Sequence, residues 1–140
     1  MIGILAPESL QSAWPDVVEL LEARGQEFLA RVSLEELFVG ILKEEIDLWI
    51  ATEECDLRMV CFMAWEHHAK ESNYHVMWLA GSGLREYPVP GLDKIEQYAC
   101  MRGAKSVIFG GRKGWLRALE PYGYVPQVSL CKNVTTCWRN

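Results

Sequence analysis

The amino-acid sequence predicts one α/β domain, a mixed and mostly antiparallel β-sheet covered by helices on both faces. Three observations point there. Apolar residues recur at helical spacing early in the chain, switch to alternation after Asp47, and then mark strands and helices in turn. Half of the 140 residues are hydrophobic and 24% are charged, a composition that fills the core of one globular domain. No internal repeat, low-complexity tract or Ser/Gly linker divides the sequence, so residues 1–140 read as a single domain.

Ile2 to Ala6 is a short apolar strand that Pro7 stops. Ser9 or Ser12 can cap a helix from Leu10 to Ala23, where Trp14, Val17, Val18 and Leu21 share a stripe and Gly25 supplies the stop. The second helix starts after Ser33, which with Glu36 forms an S-x-x-E capping box; Leu34, Leu37, Phe38, Ile41 and Leu42 make its apolar face. Leu48 to Thr52 and Arg58 to His67 then read as adjacent strands around a polar turn at Glu53 to Asp56. In the second of these, Val60, Phe62 and Ala64 fall on one face and Cys61, Met63 and Trp65 on the other.

Tyr74 to Ala80 is the third strand of this group and runs into Gly81-Ser82-Gly83. Beyond Pro88 and Pro90 a helix from Leu92 to Met101 ends at Gly103, and Ser106 to Phe109 is the next strand. Gly110-Gly111 leads to a short helix, Lys113 to Leu119, and Tyr124 to Lys132 closes the order as the last strand. Consecutive strands followed by strand–helix alternation call for a mixed sheet.

A formal net charge of -5 argues against wholesale nucleic-acid binding, but the asymmetry leaves room for a local anion site. Acidic residues crowd the chain before Glu71, whereas Lys105, Arg112, Lys113, Arg117, Lys132 and Arg139 lie near the end. No basic leader and no run near the ~18 apolar residues of a membrane span occurs, so a cytoplasmic protein is expected. The five cysteines, Cys55, Cys61, Cys100, Cys131 and Cys137, form no C-x-x-C pair and read as reduced thiols with no metal. G-x-S-x-G, Walker and H-E-x-x-H motifs are lacking. The six tryptophans mostly follow the apolar periodicity and read as core.

The segment Gly111-Arg112-Lys113-Gly114-Trp115-Leu116-Arg117-Ala118-Leu119-Glu120-Pro121-Tyr122-Gly123-Tyr124 resembles the G-R-[RK]-G-W-x-R-x-L-x-P-x-G-[YF] ending of phage-encoded proteins of the GNAT superfamily, the acyl-CoA-dependent N-acyltransferases. The order β-α-α-β-β-β-α-β-α-β is similar to that of GNAT domains along nearly the whole chain. Packing alone also accounts for the ending: Trp115 and Leu119 dock a helix, Gly123 caps it and Pro121 limits its continuation.

The resemblance implies a GNAT-like fold, acetyl-CoA or another acyl-CoA as donor, and an amine acceptor. It places the cofactor cradle at Leu79, Gly81, Ser82 and Gly83, with Arg85, or Arg112 and Lys113, as candidate basic partners of the pyrophosphate. The chain departs from the family pattern in three ways. The basic or amide residue expected ahead of the glycines is absent, Pro88 and Pro90 stand between the glycines and the next helix, and Leu119 occupies the position of an acidic tyrosine. For the base, Glu66 and His68 share a face if their strand continues, with His67 on the opposite face and His75 in the next strand. Two functions follow from the resemblance. One is acyl transfer to an amine; the other is a non-catalytic module of a phage particle, binding a phage structural or host protein.

Overall fold

Ile2–Ile4 (β1), Ile46–Glu53 (β2), Asp56–His67 (β3), Ser72–Gly81 (β4) and Ala104–Phe109 (β5) form one sheet in that spatial order. The structure, a computed structural model, describes residues 1–81, 88–110 and 117–127, with the backbone alone at 88–90. It divides into two units, Met1–Gly110 and Gly111–Asn140.

In the first unit, β1 to β4 pair antiparallel with their neighbours and β5 pairs parallel with β4. The β2–β3 hairpin turns through Glu54 and Cys55, both in the left-handed region at φ 51° and 68°. Two such residues in succession give a turn whose twist matches that of the flanking strands.

Helices Leu10–Arg24 (α1), Gln26–Leu29 (α2), Leu34–Leu42 (α3) and Pro88–Met101 (α4) pack on the sheet. The predicted alternation in β3 divides the core. Val60 and Phe62 join Leu48, Trp78 and Ala80 against Leu10, Val17 and Leu21 of α1, Phe28 of α2, and Leu37 and Ile41 of α3. Cys61 and Met63 point to the other face with Trp49, Tyr74 and Val76, where Ile95 and Ala99 of α4 cover them. Trp14, Trp49, Trp65 and Trp78 all pack in these clusters.

Local signals set the helix ends. Ser33 accepts the Glu36 N–H at 3.0 Å, the expected N-cap of α3, a bond worth about 1 kcal/mol. Gly25 ends α1. The four-residue α2 is an addition to the predicted order; its Phe28 is buried and stacks on Trp78 at 5.4 Å.

Helix α4 corrects an expectation. It begins at Pro88, not Leu92, and so includes both prolines. A proline obstructs a helix only where its missing N–H and its ring meet a preceding turn; in the first turn neither cost arises.

In the second unit, residues 117–119 are helical, Glu120–Tyr122 continue as a 3₁₀ turn, and Gly123 caps it at φ 89° as the sequence predicts. Residues 124–127 carry no regular structure where the start of a strand was expected. Pro126, which has no N–H for a ladder, sits among them. The rest of that strand, 128–132, lies outside the described residues.

Candidate functional site

The β4–β5 ladder ends five residues before β4 does. Its last pair is Val76↔Phe109, while β4 continues to Gly81 alongside β3, with Met59 opposite Gly81. A register shift marks the same place on the β3 side: Phe62 opposes Trp78 and Met63 opposes Val76, which leaves Met77 as the extra residue of a bulge. Bulges bend a strand, increase its twist and re-aim its side chains. Thus β4 changes course where its pairing with the parallel β5 stops, and the carboxyl ends of parallel strands are where sheets of this class bind ligands.

The end of β4 is built tightly. Gly81 has φ 125°, and a Cβ there would collide with the Arg58 carbonyl oxygen and lie 2.7 Å from Met59 Cα. The strand pair alone therefore demands glycine. Leu79 is half-buried against Ile2, Ala51 and Met59. Six residues, 82–87, separate Gly81 from the start of α4 at Pro88. Ser82, Gly83, Arg85, Arg112 and Lys113 lie outside the described residues.

One pair inside the ladder's end stands His75, opposite Ile108. Its Nδ1 lies 3.7 Å from Glu66 Oε1, an ion-pair distance that is too long for a hydrogen bond. The opposite ring nitrogen, Nε2, faces Gly110 and would be 3.5 Å from a Cβ placed there. The imidazole is one-third exposed and Glu66 rather more so. Cross-strand pairing creates this couple: Glu66 opposes Asn73 and Ala64 opposes His75, so the two side chains stand diagonally on one face.

The predicted partnership of Glu66 with His68 does not form, because β3 ends at His67 and the chain turns, with the His68 N–H donating to the Glu71 carbonyl. His67 Nδ1 is engaged by Ser72 Oγ at 2.8 Å. His75, from the next strand, is the histidine brought to Glu66. Its signal in the sequence was hidden, because register between strands decides which residues meet.

On the opposite face lies a buried polar network. Tyr74 donates to Asp47 Oδ2 at 2.6 Å and accepts from Trp49 Nε1 at 2.9 Å, and Trp65 Nε1 donates to the same carboxylate at 3.3 Å. Burial, reinforced by the Asp47 carboxylate, pushes the Tyr74 phenol far above the ordinary tyrosine range. Tyr98 of α4 is raised for the same two reasons. These phenols stay protonated and act as structural donors. Cys61 is buried too, and burial pushes its thiol up to about 12, which removes it as a nucleophile near neutrality. Among the described residues no group of three or more His, Cys, Asp or Glu side chains could hold a metal ion, and no helix is long and apolar enough to cross a membrane.

Leu119, at the position of the expected acid, is buried and has no proton to give.

No protein-family model and no curated protein sequence matches this chain. Solved structures do match in fold. An acetyltransferase from Trypanosoma brucei is 12% identical, with 95% of this chain and 97% of that one covered at a TM-score of 0.67. A predicted acetyltransferase from Clostridium acetobutylicum, solved with acetyl-CoA, is 11% identical over 96% and 97% at 0.68. An aminoglycoside acetyltransferase from an uncultured soil metagenomic sample, solved with sisomicin, is 14% identical over 95% and 94% at 0.67. The fold is that of the GNAT acetyltransferases, as the element order predicts.

Proposed function

We propose that the protein is an N-acyltransferase that moves an acetyl or related acyl group from acyl-CoA to an amine. The observation that carries this reading is the ladder that stops at Val76↔Phe109 while β4 runs on to Gly81, in a fold shared with a protein solved with acetyl-CoA. The amide-bearing arm of CoA can lie along the continuing stretch of β4 by strand-like pairing. Its pyrophosphate would then approach the residues that follow Gly81 and the positive end of α4.

The chemistry asks little of the protein beyond placement and proton transfer. An amine must arrive deprotonated at the thioester carbonyl, and the thiolate must leave. With Leu119 buried, the thiolate takes its proton from solvent or departs charged.

Leu119 also favours a second reading, in which a phage-encoded protein keeps the fold as a non-catalytic module for binding a structural or host protein. Calorimetric titration with acetyl-CoA and with CoA separates the two. Micromolar binding is the expected result; no heat at millimolar ligand would overturn the acyltransferase reading and leave the module.

A further inference from the structure

We propose that His75 accepts the proton of the incoming amine and that Glu66 is the positioning residue that orients it; the assignment rests on the acyl-transfer reading above. His75 precedes Val76, the last β4 residue in the β5 ladder, so its imidazole sits beside the point where the acyl group would be presented. Both ring nitrogens have defined surroundings. Nδ1 faces the Glu66 carboxylate at 3.7 Å, which favours the tautomer carrying its hydrogen there and leaves the Nε2 lone pair to accept a proton. Nε2 faces Gly110, the residue after β5, whose lack of a side chain leaves room beside it.

Among the described residues, the charged group that faces the imidazole from β3 is Glu66, whereas Ile108 of β5 and Gly110 after it carry no charge. Partial exposure lets the ring exchange its proton with water between turnovers. The other candidates are occupied elsewhere: His67 by Ser72, Tyr74 by Asp47 and Trp49, and Cys61 by burial.

The step balances without a further reactant. An ammonium R–NH3⁺ gives one proton to Nε2, and the freed amine nitrogen forms a bond to the thioester carbon. The C–S bond breaks and its electron pair leaves on sulfur. The second amine proton is lost to solvent, from which the thiolate takes one to become the CoA thiol, and imidazolium returns the first proton to water.

The test uses the full chain, acetyl-CoA as donor, and sisomicin and polylysine as acceptor probes. His75→Gln should bind acetyl-CoA with unchanged affinity by calorimetry, which also establishes that it folds, while kcat falls about 100-fold or more. Its rate should lose the acidic limb of the pH profile. His75→Ala should be restored in part by added imidazole, an outcome that a merely structural role does not produce. Glu66→Gln should lose less activity than His75→Gln, with acetyl-CoA affinity unchanged, since the ring keeps its base but loses the group that orients it. A wild-type protein that acetylates either probe, joined by a His75→Gln variant of equal kcat and equal pH profile, overturns this assignment alone. A wild type that binds no acetyl-CoA overturns the parent reading and this one with it. If it binds acetyl-CoA but acetylates neither probe, and releases no CoA thiol to water faster than His75→Gln does, the assignment also falls.

Discussion

Removing one oxygen from the core gives the sharpest structural prediction. The Tyr74 side chain is fully buried, and its hydroxyl both donates to Asp47 at 2.6 Å and accepts from the Trp49 indole at 2.9 Å. Tyr74→Phe keeps the ring packed between Trp65 at 4.5 Å and Tyr98 at 5.7 Å, so no large cavity opens. What changes is polar. A hydrogen bond to a charged acceptor contributes about 1.5–3 kcal/mol net, and the stranded Trp49 N–H, with only 4% of the residue exposed, costs about 1–3 kcal/mol more. Asp47 retains the Trp65 donor at 3.3 Å, which offsets part of the loss. The expected destabilisation is about 3 kcal/mol, a factor of roughly 150 in the folding equilibrium. Urea unfolding should show the midpoint moving with m unchanged. A loss under about 1 kcal/mol would refute the network as a stabilising element and show that water or Tyr98 satisfies the same groups.

Alkaline stability should follow from the same burial. Tyr74 and Cys61 both have folded pKa values raised above their unfolded ones, so their contribution is complete below pH 9 and is lost as pH rises, for Cys61 up to about 12. Thermal melts from pH 8 to pH 11 should fall, and Cys61→Ala should flatten part of that fall. Gly81→Ala should lower Tm by about 10 °C, because φ 125° and contact with the β3 backbone leave no place for a methyl; an unchanged Tm would show that β3 does not fix this residue. At the closed end of the ladder, Lys105 Nζ lies 2.8 Å from Glu71 Oε2 and holds that carboxyl below the usual range. The Glu71 contribution is thus present above the ordinary carboxylate pKa and lost as pH falls through the lowered one. In Lys105→Ala, carbon-detected NMR titration should return the Glu71 midpoint to the ordinary range.

Periodicity carried most of the fold into view, since burial on one or both faces is written residue by residue. Val60 and Cys61 went to opposite cores as alternation requires, and Ser33 capped α3 as its spacing to Glu36 demands. Prolines misled because their effect depends on position within a helix. Pro88 at the first position costs nothing there, yet the same residue mid-helix would break it. The extent of β4 was legible to within two residues. The end of β5 at Phe109 was legible too, but which β4 residue it faces was not, because the two parallel strands are joined through a helix and their register is not written in either strand alone.

The same distinction explains the histidines. His67 and His68 adjoin Glu66 in the chain, and adjacency drew attention to them; pairing of β3 with β4 instead selects His75, nine residues away. In a hairpin that separation is short in space, since Glu66 lies one pair from the turn-proximal end of the ladder. A base built this way is held by two paired strands, which gives it a fixed position relative to the ladder's end. The turn that carries His68 has no such constraint from a ladder, and a group that must meet an amine within hydrogen-bonding reach gains most from the rigid site. For that reason His75, with Glu66 behind it, is the pair on which mutagenesis should begin.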